Sequence, residues 1–312
     1  MSRPGVVALG GGHGLAASLA ALRLVTDRIT AVVTVGDDGG SSGRLRGEFD
    51  VLPPGDLRMA LAALCDDSEW GHQWRDVLQH RFAGSGPLGG HALGNLLIVS
   101  LWDLLGDTVE GLDLVSRLLG ARGRVLPMAA EPLQIEASVM GADPARPDDV
   151  ATVRGQVEVA STPGRVLGVR LHPQDPKPCD ETIKAIHDAD WIILGPGSWF
   201  TSVMPHLLVP SVREALVASP ARKILTLNLI MHTGETVGFS AENHLEVLTA
   251  HAPELVLDVV LADPSIVDDE RVLRDVAAGL GAELVVAPVA VHDRPGHHDS
   301  LRLAAAYRDI LG

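Results

Sequence analysis

Two glycine-rich segments, at 6–14 and 195–202 of the 312 residues, hold the residues best suited to an anion. In VVALGGGHG (6–14) an apolar, strand-like run passes through Gly10, Gly11, Gly12 and Gly14 into a helical pattern, so backbone NH groups at a helix start can face a phosphate. It is neither the GxGxxG fingerprint nor a Walker loop, because no Lys follows, and by itself it reads either as a phosphate loop or as a tight turn. GPGSWFTS (195–202) offers Gly195, Gly197, Ser198, Thr201 and Ser202 as NH and OH donors, again without Lys, so it would work through dipoles rather than charge. Between them, TVGDDGGSSGRLR (34–46) sets Asp37 and Asp38 ahead of a glycine and serine stretch with Ser41, Ser42, Arg44 and Arg46. Such carboxylates can orient a ribose, a hydroxyl or a magnesium ion, and such arginines can pair with phosphate.

Three further segments carry polar groups in apolar surroundings. PPGDLR (53–58) opens a helix with Asp56 in its first turn, favourable to the dipole and readable as a cap. Arg58 opposes the dipole there and requires an acid or a ligand phosphate. In GGHALGNLLIVSL, His91 and Asn95 stand at i and i+4 and are expected to share a helix face, as a buried hydrogen-bonded pair or as ligand contacts. NLIMHTGET (228–236) contributes Asn228, Thr233, Glu235 and Thr236; a side-chain amide such as that of Asn228 can read a nucleobase edge. No catalytic triad is evident, since Ser198 sits in GPGSW rather than GxSxG and neither cysteine has a neighbouring base. His297 and His298, beside Asp299, lack HExxH or a comparable spacing, and no metal site is predicted from them.

Apolar runs alternating with helical patterns must position these groups. Strands are predicted at 6–9, 29–35, 191–194, 223–229, 255–261 and 283–287, and helices at 14–24, 181–188, 211–218, 241–251, 267–278 and 300–311. The middle differs: 57–64, 91–104 and 108–119 have helical periodicity, 133–139 and 153–172 alternate as half-buried strands, and 142–149 reads as an exposed turn. The expected fold is α/β: one domain over 1–312 with a Rossmann-like parallel sheet, helices on both faces, and an inserted helical cap plus small antiparallel section within 54–175. Four of the polar loops follow the carboxyl ends of predicted parallel strands, the edge on which such sheets bind ligands, so they are expected to converge on one cleft.

Composition narrows the partners. Of 312 residues, 40 are acidic and 25 are Lys or Arg, a net charge of −15 that disfavours nucleic acid. Only Cys65 and Cys179 are present, too few for a disulfide framework, which fits a reducing cytoplasm. The glycines at 10–14 interrupt any signal-like helix near the start, and the most apolar later stretch, 92–102, is shorter than the roughly 20 residues of a membrane span. The expected partner is a small-molecule nucleotide conjugate, with no nucleic acid and no membrane; the sequence leaves room for a homo-oligomer and names no protein partner. An NAD-linked dehydrogenase is disfavoured by the missing GxGxxG.

Taken in order, GGGHG (10–14), TVGDDGGSSGRLR (34–46), PPGDLR (53–58), GHALGNLL (90–97), GPGSWFTS (195–202) and NLIMHTGET (228–236) resemble the gluconeogenesis-factor family (YvcK-like), related to the 2-phospho-L-lactate transferases called CofD. The resemblance spans nearly the whole chain. It departs where the family usually has Thr at His13, and an Asn-Leu pair where this chain has His206 and Leu207. It implies a Rossmann-like protein that binds a UDP-sugar such as UDP-N-acetylglucosamine, cytoplasmic and regulatory, linked to gluconeogenic growth, cell shape and peptidoglycan precursor supply. The alternative that it implies is a magnesium-dependent phospholactyl-type transferase using Asp37 and Asp38, against which the GGSSGRLR continuation argues.

Overall fold

The computed structural model describes residues 3–230, 234–294 and 296–312. The chain opens with β1 (Val6–Gly10), α1 (Gly12–Leu22) and β2 (Ile29–Val33). Every residue of β1 is buried, an unbroken pattern that suits a strand covered by helices on both faces. Five helices follow: α2 (Gly40–Phe49), α3 (Pro54–Leu64), α4 (Glu69–Gln79), α5 (Leu93–Leu105) and α6 (Thr108–Leu119). They lead to β3 (Arg124–Pro127) and then to β4 (Gln134–Met140), β5 (Val150–Arg154), α7 (Gln156–Ala160) and β6 (Arg165–His172). α8 (Asp180–His187) returns the chain to β7 (Trp191–Leu194), followed by a π-helical turn at Trp199–Val203, α9 (Met204–Leu208), α10 (Pro210–Ala218) and β8 (Arg222–Thr226). The last units are α11 (Ala241–His251), β9 (Val259–Ala262), α12 (Glu270–Gly279), β10 (Glu283–Val286) and α13 (Ser300–Leu311).

The main sheet has the order β3-β2-β1-β7-β8-β9-β10, and each neighbouring pair is parallel. From β1 the chain builds outward through β2 to β3, then resumes on the other side of β1 at β7. The strand order therefore reverses between β1 and β7, and the loops after these two strands part there to leave a crevice at the carboxyl edge. The second sheet is antiparallel, in the order β5-β4-β6. A buried hydroxyl network ties the crevice-forming helix to the core: Tyr307 Oη of α13 lies 2.9 Å from Ser18 Oγ of α1 and 3.0 Å from Thr226 Oγ1 of β8.

The expected α/β fold is the observed one, with four differences of detail. The main sheet has seven strands rather than six. The extra strand, β3, lies inside 54–175, so that stretch also supplies the edge of the main sheet. The segment after Asp38, read as a flexible glycine and serine stretch, is the helix α2; burial of Ser41, Ser42 and Leu45 outweighs the poor helix propensity of its glycines. α4 went unpredicted, although Ser68 caps it by accepting Gly71 N at 3.0 Å. The strand expected at 153–172 is broken by α7. Among the described residues no helix is long and apolar enough to cross a membrane.

Candidate functional site

The turn after β1 and the turn after β7 touch at the point where the strand order reverses. A Cβ on Gly14 would overlap the Pro196 carbonyl oxygen and come within 2.7 Å of Gly197 Cα, so only glycine lets the start of α1 lie this close to the second turn. Gly12 has φ +56°, and α1 begins behind Gly11 without a side-chain cap. From below, the fully buried His206 Nε2 meets the Gly10 carbonyl oxygen at 3.3 Å; burial pulls its pKa down to about 4, so the imidazole is neutral and donates this bond. Asn228, at the end of β8, grips the second turn at both ends: its Oδ1 accepts Gly197 N at 2.9 Å and its Nδ2 donates to Gly197 O at 2.7 Å. Asn228, expected to read a base edge, thus has one acceptor and one donor position engaged by the Gly197 backbone.

A buried carboxyl stands beside each turn. Asp56, in the first turn of α3, accepts Thr34 Oγ1 at 3.3 Å, and Gly11 packs so closely that an added Cβ would lie 2.7 Å from Asp56 Oδ2. Burial, reinforced by the charge of Asp37, raises its pKa to about 7 against the opposing pull of Thr34, the Gly12 NH and Arg58. Glu235 accepts Phe200 N at 3.1 Å, and burial raises it to about 7 against the donors of Phe200, Thr201 and Trp199. Both carboxyls are therefore poised near neutrality, as groups that handle protons or anions at a cleft often are.

The start of α2 adjoins this rim. Asp37 Oδ1 accepts Gly39 N at 2.9 Å, and Ser42 packs against Gly55 at the start of α3. Ser41 centres a buried chain. Arg58 Nε donates to Asn95 Oδ1 (2.9 Å), Asn95 Nδ2 donates to Ser41 Oγ (3.0 Å), and Ser41 Oγ lies 3.0 Å from His91 Nδ1. Because the Ser41 oxygen already accepts both the Asn95 amide and Ala92 N (3.4 Å), its single proton goes to His91 Nδ1, which is then the unprotonated ring nitrogen; burial and the nearby Arg44 lower the His91 pKa. His91 lies ahead of α5 rather than on it, so it and Asn95 meet through Ser41 and not by sharing a helix face.

Other expected site residues lie apart. Asp38 turns away from Asp37: its two oxygens accept Gln156 N and Val157 N, both at 3.1 Å, and cap α7. The two acids consequently do not form one cation-binding pair, and among the described residues no group of three or more His, Cys, Asp or Glu is placed to hold a metal. Arg44 donates to Pro87 O (3.2 Å) and Gly89 O (2.8 Å), and Arg46 donates to Leu133 O (2.7 Å). Asp38 and Arg46 line a cavity of about 910 Å³ together with Trp102 and Glu131. Thr201, Ser202 and Thr236 are buried, Ser198 and His13 are exposed, and Thr233 falls outside the described residues. Sequence reasoning missed Thr34, His206 as a support for Gly10, and Arg81 beside Arg58. Thr34 had a signal, a hydroxyl at the carboxyl end of a strand; Arg81 had none, since only the packing of the 81–92 segment brings it in.

With this geometry in hand, comparison with known proteins gives consistent matches. A family model described as 2-phospho-L-lactate transferase CofD matches residues 6–294. A putative gluconeogenesis factor of Mycobacterium tuberculosis is 54% identical over 306 residues, covering 96% of this chain and 88% of the relative. The gluconeogenesis factor of Bacillus subtilis is 38% identical over 268 residues, covering 86% of this chain and 81% of the relative. A crystal structure of a UPF0052 family protein from Bacillus halodurans is similar with TM-score 0.86 and 33% identity, over 98% of this chain and 99% of that one.

Proposed function

We propose that this chain, which belongs to the CofD family, is a nucleotide-sugar-binding regulator of gluconeogenic growth, with a UDP-sugar as its ligand. The observation that carries the proposal is the contact between the β1 and β7 turns at the point of strand-order reversal, where Gly11, the N-cap residue of α1, supplies no side-chain cap. A pyrophosphate is the natural occupant of such a rim, because dipoles from two turns can share its charge without a lysine. In this reading the 10–14 and 195–202 segments hold the diphosphate and Asp37 contacts ribose or sugar. Asn228 acts by fixing the Gly197 turn. The net charge of −15 works against approach at long range, but its effect is screened beyond roughly 8 Å. The gluconeogenic link is supported by the names of the relatives, and roles in cell shape and peptidoglycan precursor supply extend the same proposal. In this reading magnesium accompanies the diphosphate as its counter-ion.

Titration calorimetry with UDP-N-acetylglucosamine, with and without magnesium, is the test. Saturable binding weakened at least tenfold in a folded Gly12→Val variant is expected; no heat at millimolar ligand overturns the reading. Magnesium-dependent turnover of a nucleotide-diphospho-lactate donor, lost in Asp37→Asn, would establish the transferase alternative in its place.

A further inference from the structure

β5 has four of its five side chains exposed and the fifth, Val153, half-buried, whereas every other strand among the described residues buries at least one. It is also an edge, since the small sheet runs β5-β4-β6. We infer that this edge is an interface for a second copy of the chain: two β5 strands pair antiparallel about a two-fold axis at Thr152 and join the two small sheets into one. The inference does not depend on the nucleotide reading.

The backbone shows which groups are open. Gly155 N donates to Ile135 O at 2.8 Å and Gly141 N to Asp149 O at 2.9 Å, so the odd-numbered residues of this stretch turn their peptide groups toward β4. By alternation Val150, Thr152 and Arg154 turn theirs outward, where among the described residues no backbone group meets them. A second β5 laid antiparallel with Thr152 facing Thr152 sets Val150 against the other copy's Arg154, and each facing pair then exchanges both of its N–H···O bonds. Natural edge strands are commonly closed to such pairing by a proline, a bulge or a covering element. β5 contains no proline, and the irregularity of this sheet lies on the β4–β6 side, between Ser138 and Val139. The opposite edge, β6, packs against α9 and the turn at Gly234–Thr236.

The side chains favour the same occupant. Val150, 59% exposed, shares a face with Thr152 and Arg154, while Ala151 and Val153 lie on the other, so a second strand alongside covers apolar groups on both faces. Charge fixes the direction. Two copies of net charge −15 repel, and a contact between them has to set opposite charges together. Asp148 and Asp149 precede β5 and Arg154 ends it, so antiparallel pairing brings the acids of each copy to the arginine of the other, whereas parallel pairing stacks like on like. Arg154 Nε donates to Glu136 Oε2 at 2.7 Å, yet the side chain stays 67% exposed; Arg170 and His172 bear on the same carboxylate, so Arg154 can turn across the edge without stranding it. Five residues per strand make a small contact, at the weak end of specific association.

Sedimentation velocity of the full chain between about 5 µM and about 1 mM, the span suited to so small a contact, is the test. A monomer–dimer equilibrium with a midpoint on the order of 0.1 mM is expected. Thr152→Pro, which removes an N–H that β4 does not use, and Thr152→Lys, which sets two lysines together on the axis, should each weaken it at least tenfold. Because Cys65 and Cys179 are buried, Thr152→Cys adds an accessible thiol; mild oxidation should link two chains through it, and far less through Leu167→Cys on β6, a site 49% exposed. A chain that sediments as a monomer throughout overturns the proposal, as does a dimer that Thr152→Lys leaves intact or crosslinking as efficient at Leu167→Cys as at Thr152→Cys. Should Thr152→Pro fail to fold, Thr152→Lys, at an exposed site, decides alone.

Discussion

Replacing Asp56 by Asn removes a buried acid while keeping its shape and one acceptor. The carboxyl has an ordinary value of 3.8 and is raised to about 7 in the fold. At 1.36 kcal/mol per unit, that gap is worth roughly 4 kcal/mol. Because the folded value is the higher one, the stability contributed by the protonated form is complete below about pH 4 and is lost as pH rises through 7. Asn cannot ionise and escapes this loss. The stability of Asp56→Asn relative to the native protein should therefore improve by ~3 kcal/mol between pH 5 and pH 8.5, the rest of the change lying below pH 5, whatever constant offset the altered bond to Thr34 introduces. Glu235, also raised to about 7, leaves a residual fall in both proteins. His206, lowered to about 4, works in the opposite sense: its stability is present above the usual histidine range and is lost as pH falls through 4, again in both. Urea unfolding followed by tryptophan fluorescence at half-unit steps of pH measures the difference directly. A difference that stays flat within 1 kcal/mol across the series would refute the assignment of a buried, uncompensated carboxyl.

Two other substitutions probe the frame of the site. Gly14→Ala puts a methyl against the Pro196 carbonyl, so about 1–3 kcal/mol of stability should be lost and the turns forced apart, with at least a tenfold loss of nucleotide-sugar affinity by calorimetry. Unchanged thermal melting would show that the turns yield freely. Tyr307→Phe leaves the Ser18 and Thr226 hydroxyls without their shared partner and should cost about 1–3 kcal/mol in urea unfolding, with ligand affinity altered less than threefold, since the network sits behind α1 and not in the crevice.

The local chemistry of the chain was largely readable one segment at a time. Continuous burial makes parallel strands of short apolar runs, so β1, β2, β7, β8 and β10 were recognisable by type and glycine placement; α11, α13 and α6 follow their periodicity to the residue. The GGGHG and GPGS segments announced turns after strands for the same reason, and their residues are those at the crevice. Where the pattern was weak, tertiary packing decided. Gly40, Gly43 and Gly47 argue against a helix, yet α2 forms because Leu45, Ser41 and Ser42 are buried. β3, only four residues long, became a strand by finding the open edge of β2.

Side-chain direction lay further from the sequence. Asp37 and Asp38 are adjacent in the chain, but successive residues on extended backbone point to opposite sides, so one faces the start of α3 and the other caps α7, more than a hundred residues later. Asn228 was marked as polar and well placed; that its amide would close on Gly197 depended on how far the β7 turn folds back. The sequence by itself determined which segments are strands, turns and amphipathic helices, because those choices are set by neighbours within a few residues. Only the tertiary structure decided which polar groups lose their water and whom they meet, since burial and pairing depend on distances between segments that no local pattern encodes.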